Sequence, residues 1–124
     1  MRHIILALNT QDQFTDLTIL KQNGFEAKPL IGQYQHETGR IVKESSYLIK
    51  VESGRDLLTI KNLAKFHQQE SILVLDLDQN AELLYISSGK VQNIGVFTNC
   101  TEAEAKSSQS HTFDPISKEY YICV

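Results

Sequence analysis

The sequence predicts an α+β fold of the ferredoxin-like type, with the element order βαββαβ and a C-terminal β extension, in a single domain spanning residues 1–124. Two observations carry this prediction. Apolar, β-prone runs alternate with two segments of helical periodicity, in the order strand, helix, hairpin, helix, strand. A chain of 124 residues also has room for one hydrophobic core and little more.

The first strand and the first helix are predicted within residues 2–24. Residues 2–8 form an apolar run rich in isoleucine and leucine, which indicates a buried strand. Thr10 is placed to cap the helix that follows, with Asp12 in its first turn. The pair Asn23–Gly24 ends this helix, because glycine adopts the left-handed conformation without a steric penalty.

A β-hairpin is predicted next. Residues 25–34 are extended, and residues 41–51 have strong β propensity. The polar stretch between them contains Thr38–Gly39, which predicts the tip of the hairpin near these two residues.

The second half begins with the clearest helix. Ser53 is a favoured cap, and the apolar positions behind it recur on one helical face. The apolar run 72–75 predicts a central strand, and residues 81–86 predict another. Residues 101–110 are interpreted as either a short helix or a mobile loop, and residues 119–124 as an added edge strand.

Composition and charge restrict the classes of function. The formal net charge is −3 and no long basic run is present, which argues against a nucleic-acid partner. No stretch approaches the ~20 apolar residues that would span a bilayer, and the N-terminal apolar run is too short for a signal peptide. We therefore expect a protein of the cytoplasm. Cys100 and Cys123 are far apart and indicate free thiols rather than a zinc site.

Tyr34 and Glu44 are the candidate functional pair. If the hairpin tip lies near Gly39, both residues lie about five positions from the turn, nearly opposite on neighbouring strands and within side-chain reach. The alternative interpretation is a surface tyrosine and a solvated glutamate. Asp76 and Asp78 share one strand face and form a weaker candidate for a divalent cation, whereas residues 87–90 are interpreted as a turn.

The order of several further residues along the chain supports a family resemblance. These residues are Leu30, Gly32, Tyr34, Glu44, Leu63, Ala64, Gln69, Ile72, Leu73, Val74, Ala81, Leu83, Tyr85, Gly89, Thr112, Phe113, Lys118 and Tyr120. In this order and spacing the sequence resembles the bacteriophage S-adenosylmethionine lyases, which were formerly called hydrolases. The similarity runs over nearly the whole chain.

The resemblance implies an activity and a site. The implied reaction splits S-adenosylmethionine into methylthioadenosine and L-homoserine lactone, without a cofactor or a metal, and counters host restriction and methylation. Tyr34 and Glu44 match the family's functional pair. The resemblance also implies a fold like that of the trimeric PII-like signalling proteins, hence a homotrimer with the substrate bound between subunits.

Three other functions stay open on the sequence. A hydrolase would use Glu44 as a base that activates water and would release homoserine. A non-catalytic regulator would bind a nucleotide or S-adenosylmethionine without turnover. A protein-interaction module would block a host enzyme through an apolar surface patch.

Overall fold

The structure, a computed structural model, describes residues 2–10, 12–35 and 38–124. Within these ranges eight antiparallel strands form a closed barrel, accompanied by three helices. The strands are β1 (Arg2–Leu6), β2 (Ala27–Gln35), β3 (Ile41–Val51), β4 (Ser71–Leu75), β5 (Asn80–Tyr85), β6 (Val91–Cys100), β7 (Ser110–Asp114) and β8 (Glu119–Cys123). The helices are α1 (Gln13–Gln22), α2 (Gly54–Phe66) and α3 (Glu102–Ser107).

The closed sheet contradicts the predicted fold class. The strand order around the barrel is β1-β3-β2-β7-β8-β6-β5-β4, and β4 pairs with β1 to complete the circle. The expected ferredoxin-like sandwich of the PII-like kind is therefore wrong for this chain. The physical reason is that β5–β8 belong to the same sheet and do not form a separate extension. Strand β5 pairs with β4 and β7 pairs with β2, so the sheet closes and one of its faces encloses the barrel interior.

The C-terminal strand shows the same difference. Residues 119–124 were expected to add an edge strand, but β8 pairs with β6 on one side and with β7 on the other. Of the two interpretations of residues 101–110, the short helix is confirmed, as α3. This helix begins at a capping box in which Thr101 and Glu104 satisfy each other's backbone N–H groups.

Polar side chains fix the ends of the first two helices. Asp12, rather than the predicted Thr10, is the N-cap of α1, because its carboxylate accepts hydrogen bonds from the N–H groups of Phe14 and Thr15. The predicted Ser53 cap of α2 is confirmed by a 3.2 Å hydrogen bond from the backbone N–H of Asp56. None of the helices in the described ranges combines the length and apolar character needed to cross a membrane.

The main hydrophobic core lies between the barrel and its helices. Side chains alternate along each strand, so that every second residue of β1, β3 and β4 points outward toward α1 and α2. We call this side the outer face and the opposite side, which encloses the barrel interior, the inner face. The fully buried members of the outer core are Ile4, Leu6, Leu8, Leu20, Tyr47, Ile49, Ile60, Ala64 and Ile72.

Candidate active site

Tyr34 and Glu44 lie on neighbouring strands and on the same face. In the β2–β3 ladder Gly32 is opposite Glu44, and Tyr34 is opposite Val42. Tyr34 and Glu44 are therefore diagonal neighbours on the inner face rather than directly opposite, and side chains in this relation stand about 7–8 Å apart. The hairpin and the shared face agree with the prediction, whereas the register differs by two residues. Residues 36 and 37, near the predicted tip, lie outside the described residues.

A defined contact holds the carboxylate of Glu44. The side-chain amide of Asn9 donates a 2.9 Å hydrogen bond to Glu44 Oε1. Asn9 follows β1 and has a positive φ of 57°, a conformation that asparagine tolerates better than most residues. This backbone turn brings the amide of Asn9 to the glutamate, and Glu44 Oε2 has no part in this bond.

Glu44 borders a pocket of about 440 Å³ at the rim of the barrel. Three carboxylates and one lysine line this pocket, so its net charge is negative. A negatively lined cleft raises the local concentration of cationic ligands. The lining residues are Asn9, Asp12, Gln13, Asp16, Lys43, Glu44 and Ser45.

A buried hydrogen-bond network supports the floor of this pocket. Asp16 is only 2% exposed, and it accepts hydrogen bonds from the hydroxyl of Thr10 and, at 2.6 Å, from that of Tyr47. Burial, together with the hydrogen bond to Asp16, raises the pKa of Tyr47 well above its ordinary value, so its hydroxyl stays a donor. The network fixes the segment between β1 and α1, and with it the position of Asn9.

A second cavity, of about 370 Å³, lies in the barrel interior. Leu30, Leu48 and Leu75 form apolar walls. Phe97 and Tyr121 also line it and stack on each other, with ring centroids 4.9 Å apart and planes 8° apart. A cavity with mostly apolar walls and a few polar groups is typical of a small-molecule site.

Lys28 and Asp114, which also line this cavity, form an ion pair. Burial alone would raise the pKa of Asp114, but hydrogen bonds from Lys28 and from the backbone N–H groups of Ile116 and Ser117 outweigh burial and lower it. The hydrogen bond to Asp114 raises the pKa of Lys28 in turn. The two charges therefore neutralise each other at neutral pH.

Replacing Asp114 with Asn should destabilise the protein and make its free energy of unfolding less dependent on pH in the acidic range. The amide oxygen of Asn can still accept a hydrogen bond from Lys28, but it carries no negative charge, so we expect a loss of about 1.5–3 kcal/mol in the free energy of unfolding at pH 7. Because the folded pKa of Asp114 lies below 3.8, its stabilisation is present above that pH and is lost as the pH falls through the folded pKa. Urea unfolding at pH 7 and at pH 3 measures both effects.

The exposed pair Lys106–Glu102, at 2.5 Å, provides the matched control. Glu102→Gln should leave stability at pH 7 nearly unchanged, because water screens this pair. Equal losses in Asp114→Asn and Glu102→Gln would contradict the role given to burial.

The weaker candidate sites from the sequence form local turns. Asp76 Oδ1 accepts hydrogen bonds from the N–H groups of Asp78 and Asn80 at 2.8 and 2.9 Å, so it ends a strand in a turn. Residues 87–90 form the predicted turn before β6. Among the described residues, no three His, Cys, Asp or Glu side chains group together in a way that could hold a metal ion.

Two parts of the pocket at Glu44 were missed by the sequence interpretation. The sequence analysis gave Asn9 no role, and its contact with Glu44 spans 35 positions of the chain. The Asp16–Tyr47 bond spans 31 positions and joins a helix to a strand. An asparagine directly after an apolar run is a recognisable signal for a left-handed residue, but nothing in the sequence indicates its partner.

Comparison with known proteins supplies the family. A model of the S-adenosylmethionine lyase family matches residues 7–124, which confirms the resemblance predicted from the sequence. Comparisons with curated proteins and with solved structures return no match. A match of this extent, over a chain with an acidic pocket at the expected glutamate, favours catalysis over the non-catalytic alternatives. The chain belongs to the S-adenosylmethionine lyase family and is an S-adenosylmethionine lyase.

Proposed function

We propose that this lyase cleaves its substrate by intramolecular attack and releases methylthioadenosine and L-homoserine lactone. The observation that carries the proposal is the acidic pocket, in which Asn9 holds the carboxylate of Glu44 at the rim of the barrel. S-adenosylmethionine has a sulfonium, an ammonium and a carboxylate, so its net charge is positive. A negatively lined pocket attracts such a substrate.

The reaction requires no proton transfer. A carboxylate oxygen of the substrate attacks its own γ-carbon, the bond from that carbon to sulfur breaks, and the electron pair goes to sulfur. The sulfonium becomes a neutral thioether in methylthioadenosine, and the carboxylate becomes the ester of the lactone. The enzyme must fold the methionine chain into the attack geometry, and such orientation is worth about 7–11 kcal/mol in favourable cases. No cofactor is needed for this scheme.

Glu44 binds the ammonium of the substrate in this scheme. Asn9 fixes one oxygen of its carboxylate, and the other receives a charge-assisted hydrogen bond from the ammonium. The ammonium is thereby held away from the attacking carboxylate. Asp16 is less suited to this role, because its two oxygens accept hydrogen bonds from Thr10 and Tyr47.

Tyr34 faces the sulfonium. Its ring lies on the same face as Glu44 and is 42% exposed in the single chain, so it is accessible to a ligand. A cation over such a ring gains about 0.5–2 kcal/mol. The alternative is that the hydroxyl of Tyr34 orients Glu44 once the substrate is bound.

The assembly and the biological role are part of the same proposal. We propose, from the family resemblance and from the 42% exposure of Tyr34 in the single chain, a homotrimer in which a neighbouring subunit completes the site at Tyr34 and Glu44. The lyase would act in the cytoplasm of the host cell, without nucleic acid or membrane partners. Loss of S-adenosylmethionine would deny methyl donor to host restriction and modification systems.

Turnover in heavy-oxygen water separates a lyase from a hydrolase. Intramolecular attack gives unlabelled lactone first, and later opening of the lactone places ¹⁸O in the carboxylate of homoserine. Direct hydrolysis would place ¹⁸O in the γ-hydroxyl of homoserine, with no lactone at early times. Fragment masses distinguish the two positions, and label in the γ-hydroxyl would refute the lyase mechanism.

A further inference from the structure

A series of hydrogen bonds begins and ends on strand β3, at Tyr47 and Glu44. The hydroxyl of Tyr47 donates a 2.6 Å hydrogen bond to Asp16 Oδ2, and the hydroxyl of Thr10 donates to Asp16 Oδ1. Asn9, the residue before Thr10, donates a 2.9 Å hydrogen bond to Glu44 Oε1. Three hydrogen bonds and one peptide bond therefore connect two side chains of the same strand, and we call these five residues the relay.

Tyr47 is the buried end of the relay. Its side chain is fully buried in the outer core, and in the β1–β3 ladder it lies opposite Leu6. The pocket at Glu44 is lined by Asn9 and Asp16 but not by Tyr47. Tyr47 is therefore placed to act on this pocket through Asp16, without contact with a ligand that the pocket binds.

Asp16 links the two halves of the relay. Its carboxylate is buried and forms no ion pair within the described part of the chain. A buried carboxylate without a cation has lost its hydration, so it depends on the hydrogen bonds from Tyr47 and Thr10. A buried polar network whose members are all satisfied is rigid and specifies one arrangement. Asp16 therefore fixes Thr10 relative to β3.

Asn9 transmits this fixed position to Glu44. Its φ of 57° is a conformation that a residue other than glycine keeps only where the surrounding structure determines it. The side chain of Asn9 is exposed, but Leu8 before it is buried in the core and Thr10 after it is bonded to Asp16. The turn at Asn9 is therefore anchored on both sides, and loss of the anchor at Thr10 would let its amide move away from Glu44.

We propose that Tyr47 is a positioning residue of this lyase and that the relay transmits its effect to the carboxylate of Glu44. The inference rests on the proposed function, because the position of Glu44 matters for turnover only where Glu44 binds the substrate. A misplaced Glu44 still attracts the ammonium but orients the methionine chain less well, so kcat falls more than KM changes. The coupling between Tyr47 and the hydrogen bond from Asn9 to Glu44 is a property of the fold, and it is measurable without turnover.

Tyr47→Phe removes the hydroxyl and keeps the buried aromatic ring. It should lower kcat about 3- to 10-fold, below the ~10²-fold cost of a 1 Å misplacement at a reacting centre, and change KM less than about twofold. Asp16 loses one hydrogen bond in this variant, so the protein should also be less stable, and kinetics are measured well below the melting temperature of each variant. Tyr85→Phe is the matched control, because it removes a tyrosine hydroxyl that donates to Gln92 on β6, and it should keep the wild-type kcat.

A double-mutant cycle with Asn9 separates positioning from a general structural effect. Asn9→Gly removes the amide that holds Glu44 and accepts the positive φ without strain. Where Tyr47 acts through the relay, Tyr47→Phe lowers kcat no further in the Asn9→Gly background. Unchanged kcat in the single Tyr47→Phe variant, or effects of the two substitutions that multiply as independent changes do, would overturn the proposal.

NMR spectroscopy measures the coupling without substrate. The side-chain amide signals of Asn9, assigned by their absence in Asn9→Gly, should shift in Tyr47→Phe and stay in place in Tyr85→Phe. Unshifted Asn9 signals in Tyr47→Phe would contradict the relay whatever the kinetics show. Full activity of Glu44→Gln would instead refute the proposed role of Glu44, while the shift of the Asn9 signals in Tyr47→Phe would persist, so the two failures are distinguishable.

Discussion

Glu44→Gln should lower kcat for S-adenosylmethionine cleavage by about 10²-fold or more. The substitution keeps the size of the side chain and removes its charge, so the substrate ammonium loses its charge-assisted partner, an interaction worth about 1.5–3 kcal/mol. The substrate also loses its orientation, because a small misplacement at a reacting centre raises the activation free energy by a similar amount. Steady-state kinetics with chromatographic detection of methylthioadenosine measures the change.

The hydrogen bond from Asn9 makes this variant a clean test. The amide oxygen of Gln can still accept the bond that Glu44 Oε1 accepts now, so the melting temperature should not change. Glu82→Gln, an exposed glutamate on β5, is the matched control and should keep full activity. A fully active Glu44→Gln enzyme would remove Glu44 from the site.

Local signals in the sequence predicted the elements but not the architecture. Ser53, Asn23 and Gly24 mark helix ends through their own backbone and side-chain chemistry, and the structure confirms them. The ferredoxin-like prediction failed because closure depends on pairs such as Ile31 with Phe113, which no local period records. Strand β6 has no clear alternation, so this part of the barrel left no pattern to detect.

The candidate site was predictable to the level of a shared face. Period-two alternation places Tyr34 and Glu44 on the same side of a hairpin, and a register error of two residues preserves the face. An error of one residue would have separated them. The contact between Asn9 and Glu44 was beyond sequence interpretation, since it depends on where the end of β1 lies beside β3.

The backbone of Val124 makes a close approach to β6. A bulge in the β5–β6 ladder, between Ala81 and Glu82, lets β6 bend, and Gly95 stands opposite Ala81. Val124 then exchanges two backbone hydrogen bonds with Val96, at 2.7 and 2.9 Å. The chain end thus crosses directly beside Gly95, and only a residue without a side chain leaves room for it.

Gly95→Ala should be the most destabilising of the glycine substitutions. A Cβ at this position would lie 2.3 Å from the carbonyl oxygen of Val124, and the φ of 102° is strained for any other residue. Backbone strain and overpacking together should lower the free energy of unfolding by about 2–4 kcal/mol. Gly24→Ala separates the two causes, because Gly24 has a φ of 87° with no atom within 4 Å of its Cβ position, and strain alone costs about 1–2 kcal/mol. Chemical unfolding in urea measures both variants, and equal losses would mean that the contact with Val124 does not constrain the barrel.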